Sequence, residues 1–173
     1  MNDEQTRLRG YLVAQGAKLA PGEIVDKVRG AMRDLRAAAG AVPAARFDER
    51  PAPEEWSANE VLAHVVDAGR HFGGAVVRLL DGLPAGGVRD RLEREVPRRG
   101  LAEWWATLEQ DRTALFERVR GADPQSRLDG TVEHPFFGPL NWRETLLFMR
   151  LHDLDHAGQL QKIATALAAP RSA

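Results

Sequence analysis

Cysteine is absent from the sequence. The chain can therefore form neither a disulfide nor a cysteine-ligated zinc site, and any thiol chemistry would need a thiol from another molecule. Long apolar runs are also missing, since none approaches the roughly 20 residues that cross a bilayer. The first residues, MNDEQTRLRG, are polar and unlike a secretion signal. We therefore expect a cytoplasmic protein with no membrane partner.

An excess of either charge is missing as well. The sequence has 24 Lys plus Arg against 25 Asp plus Glu, whereas proteins that bind nucleic acid through its phosphates need a basic surplus. We therefore expect no nucleic-acid partner. With 173 residues, 43% of them hydrophobic, the chain is long enough for one folded domain with a real core and too short for a second full one.

Alternating strand patterns of any length are absent too, and Pro and Gly divide the chain into helical segments. Two helix starts carry clear signals. Pro21 stands at a first-turn position, and Ser57 with Glu60 three residues later forms a capping box. The predicted helices cover residues 3–17, 21–39, 58–80, 101–120 and 141–168.

The segments between these helices differ in character. Residues 41–56 read as a connector, and residues 81–100 as a long polar connection with one helical turn around Arg89 to Glu95. LDGTVEHPFFGPLNW, residues 128–142, predicts a turn or a small hairpin. Four long helices and a short N-terminal one predict an all-α four-helix bundle. The chain is then one domain, residues 1–173, with a helical extension at 1–18 and the bundle at 19–168.

The last helix carries two histidines on its apolar stripe. His152 and His156 are four residues apart, so their side chains lie one turn apart on one face, close enough to share a cation. The stripe that contains them follows the i, i+3/i+4 spacing of a core-facing surface; it consists of Trp142, Leu146, Met149, His152, His156, Leu160, Ile163 and Leu167.

A third histidine is placed to join this pair. His64 lies between Val61, Val65 and Ala68 on the inner stripe of another helix. Three imidazoles from two facing helices would form a metal site with a position left for water or substrate, as in catalytic zinc sites. The alternative is three separate core histidines, each hydrogen-bonded to backbone or water. The spacing alone leaves both interpretations open.

The other two histidines have different expected roles. His71 is seven residues after His64, about 10 Å along the helix axis, which is too far to bind the same ion. We expect it to be partly exposed, with a place in a pocket above the metal as the alternative. His134, just before Pro135, is expected to organise the turn, with a pocket contact as its alternative.

Two aspartates lie between the paired histidines. Asp153 occupies the position where a zincin helix has its glutamate, but its side chain is one methylene shorter, so the match fails. We expect Asp153 and Asp155 to face solvent or to pair with Arg150 or Lys162. Asp67, one turn after His64, and Gln159, one turn after His156, are better candidates to orient a ligand imidazole.

Two adjacent tryptophans on the fourth predicted helix could contribute to an interface. Trp104 reads as a core residue, whereas its neighbour Trp105 points about 100° away around the helix, where it could be half exposed. The pair could serve an interface, or Trp105 could simply fill a groove.

Two segments of the sequence resemble those of one family. PAPEEWSANEVLAHVVD and FFGPLNWRETLLFMRLHDLDHAGQLQKI are similar to the two signatures of the DinB/YfiT-like family, and the resemblance covers about residues 20 to 168. It implies a four-helix bundle in which His64, His152 and His156 are the metal ligands. Zinc or nickel is the metal that it implies, and a homodimer is the assembly.

The resemblance also implies several activities. Relatives include mycothiol-dependent maleylpyruvate isomerase and S-transferases that use mycothiol or bacillithiol. We therefore favour a metal-dependent enzyme that activates a low-molecular-weight thiol as cosubstrate against a small-molecule substrate. A hydrolase that uses metal-bound hydroxide is the first alternative. A metal-containing module that binds a small molecule or partner without turnover is the second. The sequence assigns no catalytic residue.

Overall fold

The computed structural model describes residues 2–86 and 96–168, and in these residues the fold is five α-helices with one small hairpin. The predicted helical turn at Arg89 to Glu95 lies outside them. The elements are α1 (Asp3–Lys18), α2 (Pro21–Gly40), α3 (Ala58–Leu80), α4 (Leu101–Arg120), β1 (Val132–His134), β2 (Gly138–Leu140) and α5 (Trp142–Ala168), with a short 3₁₀ turn at Ala44–Arg46.

Helices α2 to α5 form the bundle. α2 packs against α5, α5 against α3, α3 against α4, and α4 against α2, which closes a ring, while α1 packs against α5 from outside. α4 and α5 are therefore diagonally opposed across the interior. This confirms the all-α four-helix bundle with an additional N-terminal helix.

Local sequence explains where these helices begin. Pro21 is the first residue of α2. The Ser57 hydroxyl accepts a hydrogen bond from the Glu60 amide, and the Glu60 carboxylate accepts one from the Ser57 amide, which is the predicted capping box of α3. Asn141 caps α5 in the same way together with Glu144. Backbone N–H groups at these helix starts thus have partners without tertiary contacts.

The hairpin joins α4 to α5 and confirms the turn or small hairpin predicted there. Val132 pairs with Leu140 and His134 with Gly138 in antiparallel register. Gly138 has φ +69°, a conformation that costs a glycine little. The short ribbon places His134 beside α3 and α5.

The core follows the predicted stripes. The stripe residues of α2 and α4 are buried, as are those of α3 and α5 apart from His64, Phe72 and His152, which are half-buried. Of the two alternatives for Trp105, partial exposure and the filling of a groove, the structure favours the second, since the side chain is 6% exposed. Arg36 lies over the Trp105 ring, 5.2 Å from its centroid, and helps to cover it. No helix in residues 2–86 and 96–168 is both long and apolar enough to span a bilayer.

Candidate metal site and adjoining cavity

Three histidines converge between α3 and α5. The Nε2 atom of His64 lies 3.0 Å from that of His152, and His156 Nε2 lies 3.2 Å from the same His152 atom. One ring nitrogen from each residue lies within 4.8 Å of the other two. The pairing of i and i+4 residues on α5 with a facing residue on α3 is the arrangement that the helix phases predicted.

The spacing of these nitrogens suits a metal ion. Three nitrogens at about 2.1 Å from one ion are separated by about 3.0 Å in octahedral and about 3.4 Å in tetrahedral geometry, and the two Nε2–Nε2 distances to His152 fall in that range. A shared proton can join only two of the three imidazole nitrogens at a time. One cation would satisfy all three, so the cluster could hold a metal.

Gln159 fixes the orientation of one imidazole. His156 Nδ1 lies 2.8 Å from the Gln159 side-chain oxygen. Because an amide oxygen only accepts hydrogen bonds, Nδ1 carries the proton and Nε2 keeps its lone pair. Gln159 therefore has the orienting contact that was predicted for it. Asp67 lies on the exposed side of α3, and its predicted role stays a prediction.

Trp56 forms a wall of the cluster. Its ring is nearly parallel to that of His156, at 12° with centroids 6.5 Å apart, and its centroid lies 5.1 Å from that of His64. Trp56 is 37% exposed, so the side chain shields the histidines while one edge meets solvent. The capping box at Ser57 sets its position, because Trp56 directly precedes the cap.

A cavity of about 1020 Å³ adjoins the cluster. His64 and His152 form part of its lining, and Phe72, Phe136 and Phe148 form an aromatic wall beside them. Polar groups from the segment before β1 and from the hairpin also line it: Arg127, Asp129, Thr131 and Glu133. A ligand in the cavity would have direct access to two of the three converging rings.

The remaining histidines also line this cavity. His71 is half-buried, and burial lowers its pKa below the ordinary value. His134 is buried, and its Nδ1 accepts hydrogen bonds from the backbone amides of Phe136 and Phe137 at 3.2 and 3.3 Å. His134 therefore has both expected roles: it organises the turn and it contacts the pocket. Burial lowers its pKa to about 4.

Asp153 differs from its prediction. Its side chain is fully buried and accepts a hydrogen bond from Arg112 Nη2 at 3.0 Å, so neither solvent nor Arg150 is its partner. Arg150 instead donates to the Tyr11 hydroxyl at 3.2 Å. The prediction placed Asp153 away from the apolar stripe, whereas this residue stands four positions after Met149 and seven before Leu160, both buried, and so shares the core-facing side of α5. Asp155 is exposed, as predicted.

Arg112 was not identified from the sequence. It is 2% exposed and reaches across the bundle from α4 to α5. A signal for it exists, because Arg112 falls on the apolar stripe of α4, four residues after Leu108 and three before Leu115. A charge at such a position requires a buried partner, and burial raises the pKa of that partner, Asp153, although Arg112 acts in the opposite direction.

Comparisons with known proteins agree with this architecture. The family model described as the DinB superfamily matches residues 28–160. Among solved structures, the chain is similar to TT2238, described as a four-helix bundle protein, with 24% sequence identity, a TM-score of 0.62, and coverage of 83% of this chain and 99% of that one. This likeness is one of fold. Among curated proteins, none matches the sequence.

Proposed function

Since the chain belongs to the DinB superfamily, we propose that His64, His152 and His156 bind one divalent metal ion, zinc or nickel, and that the protein is a metal-dependent enzyme acting on a low-molecular-weight thiol. The observation that carries this proposal is the convergence of the three Nε2 atoms at the wall of a large cavity. A bound divalent ion would lower the pKa of a coordinated thiol or water and so supply a nucleophile near neutral pH.

The thiol reading has two supports. The chain has no cysteine, so a sulfur nucleophile has to come from a cosubstrate. The cavity volume of about 1020 Å³ is at the upper end of ordinary ligand pockets, which is room for a thiol and an electrophilic substrate together. The reaction would then be the transfer of an S-nucleophile to a small molecule.

The protein's own residues have defined parts in this proposal. Gln159 holds the His156 ring so that Nε2 faces its neighbours, and Trp56 limits solvent access from outside. The aromatic wall of the cavity binds the apolar part of a substrate. Its Phe148 centroid is 5.8 Å from that of His152, so a substrate on this wall lies beside the cluster.

Metal binding is tested first by calorimetric titration. Chelator-treated protein should bind one Zn²⁺ or Ni²⁺ per chain, and His152→Ala should weaken this binding by at least about a hundredfold. Asp155→Ala, an exposed change on the same helix, is the matched control and should bind like wild type. Equal binding by His152→Ala and wild type would contradict the site.

Activity is tested with the metal-loaded protein. Mycothiol, bacillithiol or glutathione mixed with an electrophile should be consumed, and consumption should stop in His152→Ala. Product formed without thiol would instead favour a hydrolase that uses a metal-activated water. Intact metal binding with no reaction across the panel would favour a non-catalytic binding module. The cytoplasmic location and the homodimer stay predictions. Light scattering would measure the molar mass in solution and so test the homodimer.

A further inference from the structure

The cavity contains a hydrogen-bond donor, His134, that is held among aromatic side chains. His134 lines the cavity and contacts several rings: its centroid is 4.3 Å from that of Phe148, 5.8 Å from that of Phe72, and 4.7 Å from that of Phe137, with which it stacks. The side chain is 6% exposed. Its ring is therefore held in place by packing and cannot turn freely.

The turn determines the tautomer of His134. Nδ1 accepts two backbone N–H groups, those of Phe136 and Phe137, so the proton of the neutral ring is on Nε2. Protonating Nδ1 would break both bonds, and burial already lowers the pKa of this group to about 4. Nε2–H points away from the turn and has no hydrogen-bond partner within residues 2–86 and 96–168.

We propose that His134 donates its Nε2–H to the carbonyl oxygen of a flat, conjugated substrate that lies on the aromatic wall next to the histidine cluster. The chemistry of the wall selects this class. Phe72 and Phe148 meet edge to face at 4.9 Å and offer apolar, planar contacts. The neutral Nε2–H group is a donor, so the polar end of the substrate has to be an acceptor, and a carbonyl oxygen is one. Phe136, 60% exposed, lies at the edge of the same cavity and extends this surface.

The placement of Phe148 connects this donor to the cluster. Its ring lies between His134, at 4.3 Å, and His152, at 5.8 Å between centroids. A conjugated molecule lying on Phe148 with its oxygen at His134 therefore extends toward the site where we propose the thiol is activated. This step rests on the proposed function.

An α,β-unsaturated carbonyl fits both ends of this arrangement. The thiolate sulfur forms a bond to the β carbon, the π pair moves to the carbonyl oxygen, and the hydrogen bond from His134 Nε2–H stabilises the developing enolate. The α carbon then takes a proton from solvent, replacing the one that the thiol lost. The product is a thioether, with no leaving group and no change that requires an oxidant.

Binding is tested without thiol or metal, so that the result is independent of the proposed activity. Acetylnaphthalene and ethylnaphthalene differ by a carbonyl oxygen and have nearly the same shape. Wild type should bind the acetyl compound about threefold to tenfold more tightly, as expected for one hydrogen bond. Equal affinities for the two compounds, or no binding of either, would overturn the proposal.

Two substitutions separate the donor from the structural role of His134. In His134→Asn, the amide oxygen can replace Nδ1 in the turn but no donor reaches the Nε2 position, so the preference for the acetyl compound should disappear. In His134→Gln, the side-chain amide can replace Nε2 but not Nδ1, so the preference should persist in a less stable protein. A preference unchanged in His134→Asn would overturn the proposal.

The tautomer gives a readout that does not depend on affinity. Long-range proton–nitrogen correlation spectra should report His134 as a neutral ring with its proton on Nε2 between about pH 5 and 8. The Nε2 proton should shift on addition of acetylnaphthalene and not of ethylnaphthalene. A proton on Nδ1, or an imidazolium at about pH 6, would contradict the proposal.

The reaction separates this inference from the proposed function. With metal and thiol, His134→Asn should lower kcat/KM for benzylideneacetone about tenfold and leave that for benzyl bromide, which has no carbonyl, nearly unchanged. Equal losses for both electrophiles would overturn the role of His134. If the wild-type protein binds the acetyl compound selectively but consumes no thiol, the proposed function fails and the carbonyl site stands.

Discussion

Arg112 and Asp153 place two opposite charges inside the bundle, joined by one hydrogen bond of 3.0 Å. Asp153 Oδ2 and two of the Arg112 nitrogens have no other hydrogen-bond partner among residues 2–86 and 96–168. A buried pair satisfied in this way loses much of its attraction to desolvation, so its net contribution to stability is small. Removing one partner lowers stability much more, because the other charge would stay buried without a partner.

Removing one partner of this pair should therefore be costly. We expect Arg112→Met to lower the free energy of unfolding by about 3 to 5 kcal/mol, measured by denaturant titration. The double variant Arg112→Met with Asp153→Leu should recover most of this loss. Arg70→Met breaks the exposed pair with Asp111 and should cost less than about 1 kcal/mol. Equal losses for Arg112→Met and Arg70→Met would contradict the interpretation.

His134 makes the stability depend on pH. Because burial lowers its pKa from 6.5 to about 4 in the folded state, the unfolded chain binds the proton more readily between these values. The stability that neutral His134 contributes is therefore fully present above about pH 6.5 and is lost as the pH falls toward 4, by at most about 3.4 kcal/mol.

Comparison with His134→Asn isolates this effect. The pKa of His71 is also lowered by burial, but it titrates in both proteins. Denaturant titrations at several pH values should show a smaller acid loss in the variant than in wild type. Parallel pH dependence in the two proteins would rule out His134 as the source.

The individual residues differ in how far the sequence predicts them. His64, His152 and His156 could be brought together from helix phase alone, since i, i+4 spacing and an apolar stripe are local properties. The burial of Asp153 also follows from helix phase, since it stands four residues after the buried Met149 and four before the buried Ala157. The burial of Trp105, by contrast, depends on Arg36 from α2, a contact that the sequence of α4 does not show.

At the scale of elements, α3 depends on its N-terminal cap. Ser57 and Glu60 satisfy each other's backbone amides, and Arg50 pairs with the Glu60 carboxylate. The cap directly follows Trp56 and lies two turns before His64, so it sets the entry of the chain into the candidate site. Signals of this kind are short-range, which is why the helix starts could be predicted.

Ser57→Ala tests the importance of this cap. It should lower the free energy of unfolding by about 1 kcal/mol, because the Glu60 backbone amide loses its acceptor. Asn2 forms an equivalent box with Gln5 at the start of α1, and Asn2→Ala should cost less, since a terminal helix can fray locally. Thermal or denaturant unfolding of both variants measures the difference, and a larger loss in Asn2→Ala would contradict it.

The sequence predicts less about the hairpin than about the helices. Its sequence predicts a turn, and Gly138 provides the positive φ that closes it. The contact of His134 with Phe148 and Phe72, however, joins the hairpin to two helices distant in sequence. Local patterns thus predict the hairpin, while the cavity that it walls needs the assembled bundle.

At the scale of the whole molecule, the candidate site links two bundle helices. His64 lies on α3 and the other two histidines on α5, so a bound ion would cross-link elements that are far apart in the chain. The division into residues 1–18 and 19–168 within a single domain stays a prediction. The number of helices could be predicted from the sequence, but their order around the ring, with α4 and α5 on a diagonal, could not.

Metal binding should stabilise this assembly. An ion that binds only the folded state, at about a hundredfold excess over its dissociation constant, adds about 2.7 kcal/mol, or roughly 5 to 10 °C in Tm for a chain of this size. Scanning calorimetry with Zn²⁺ and with chelator should show this difference in wild type and in Asp155→Ala, and not in His152→Ala. A shift that persists in His152→Ala would place the ion elsewhere.

The central claim is that one divalent ion is held by these three histidines, and anomalous diffraction tests it most directly. Crystals of zinc-loaded protein measured at the zinc absorption edge should give one strong peak per chain, about 2.1 Å from Nε2 of His64, His152 and His156. A peak at other residues, or no peak between these rings in protein that carries stoichiometric zinc, would contradict it.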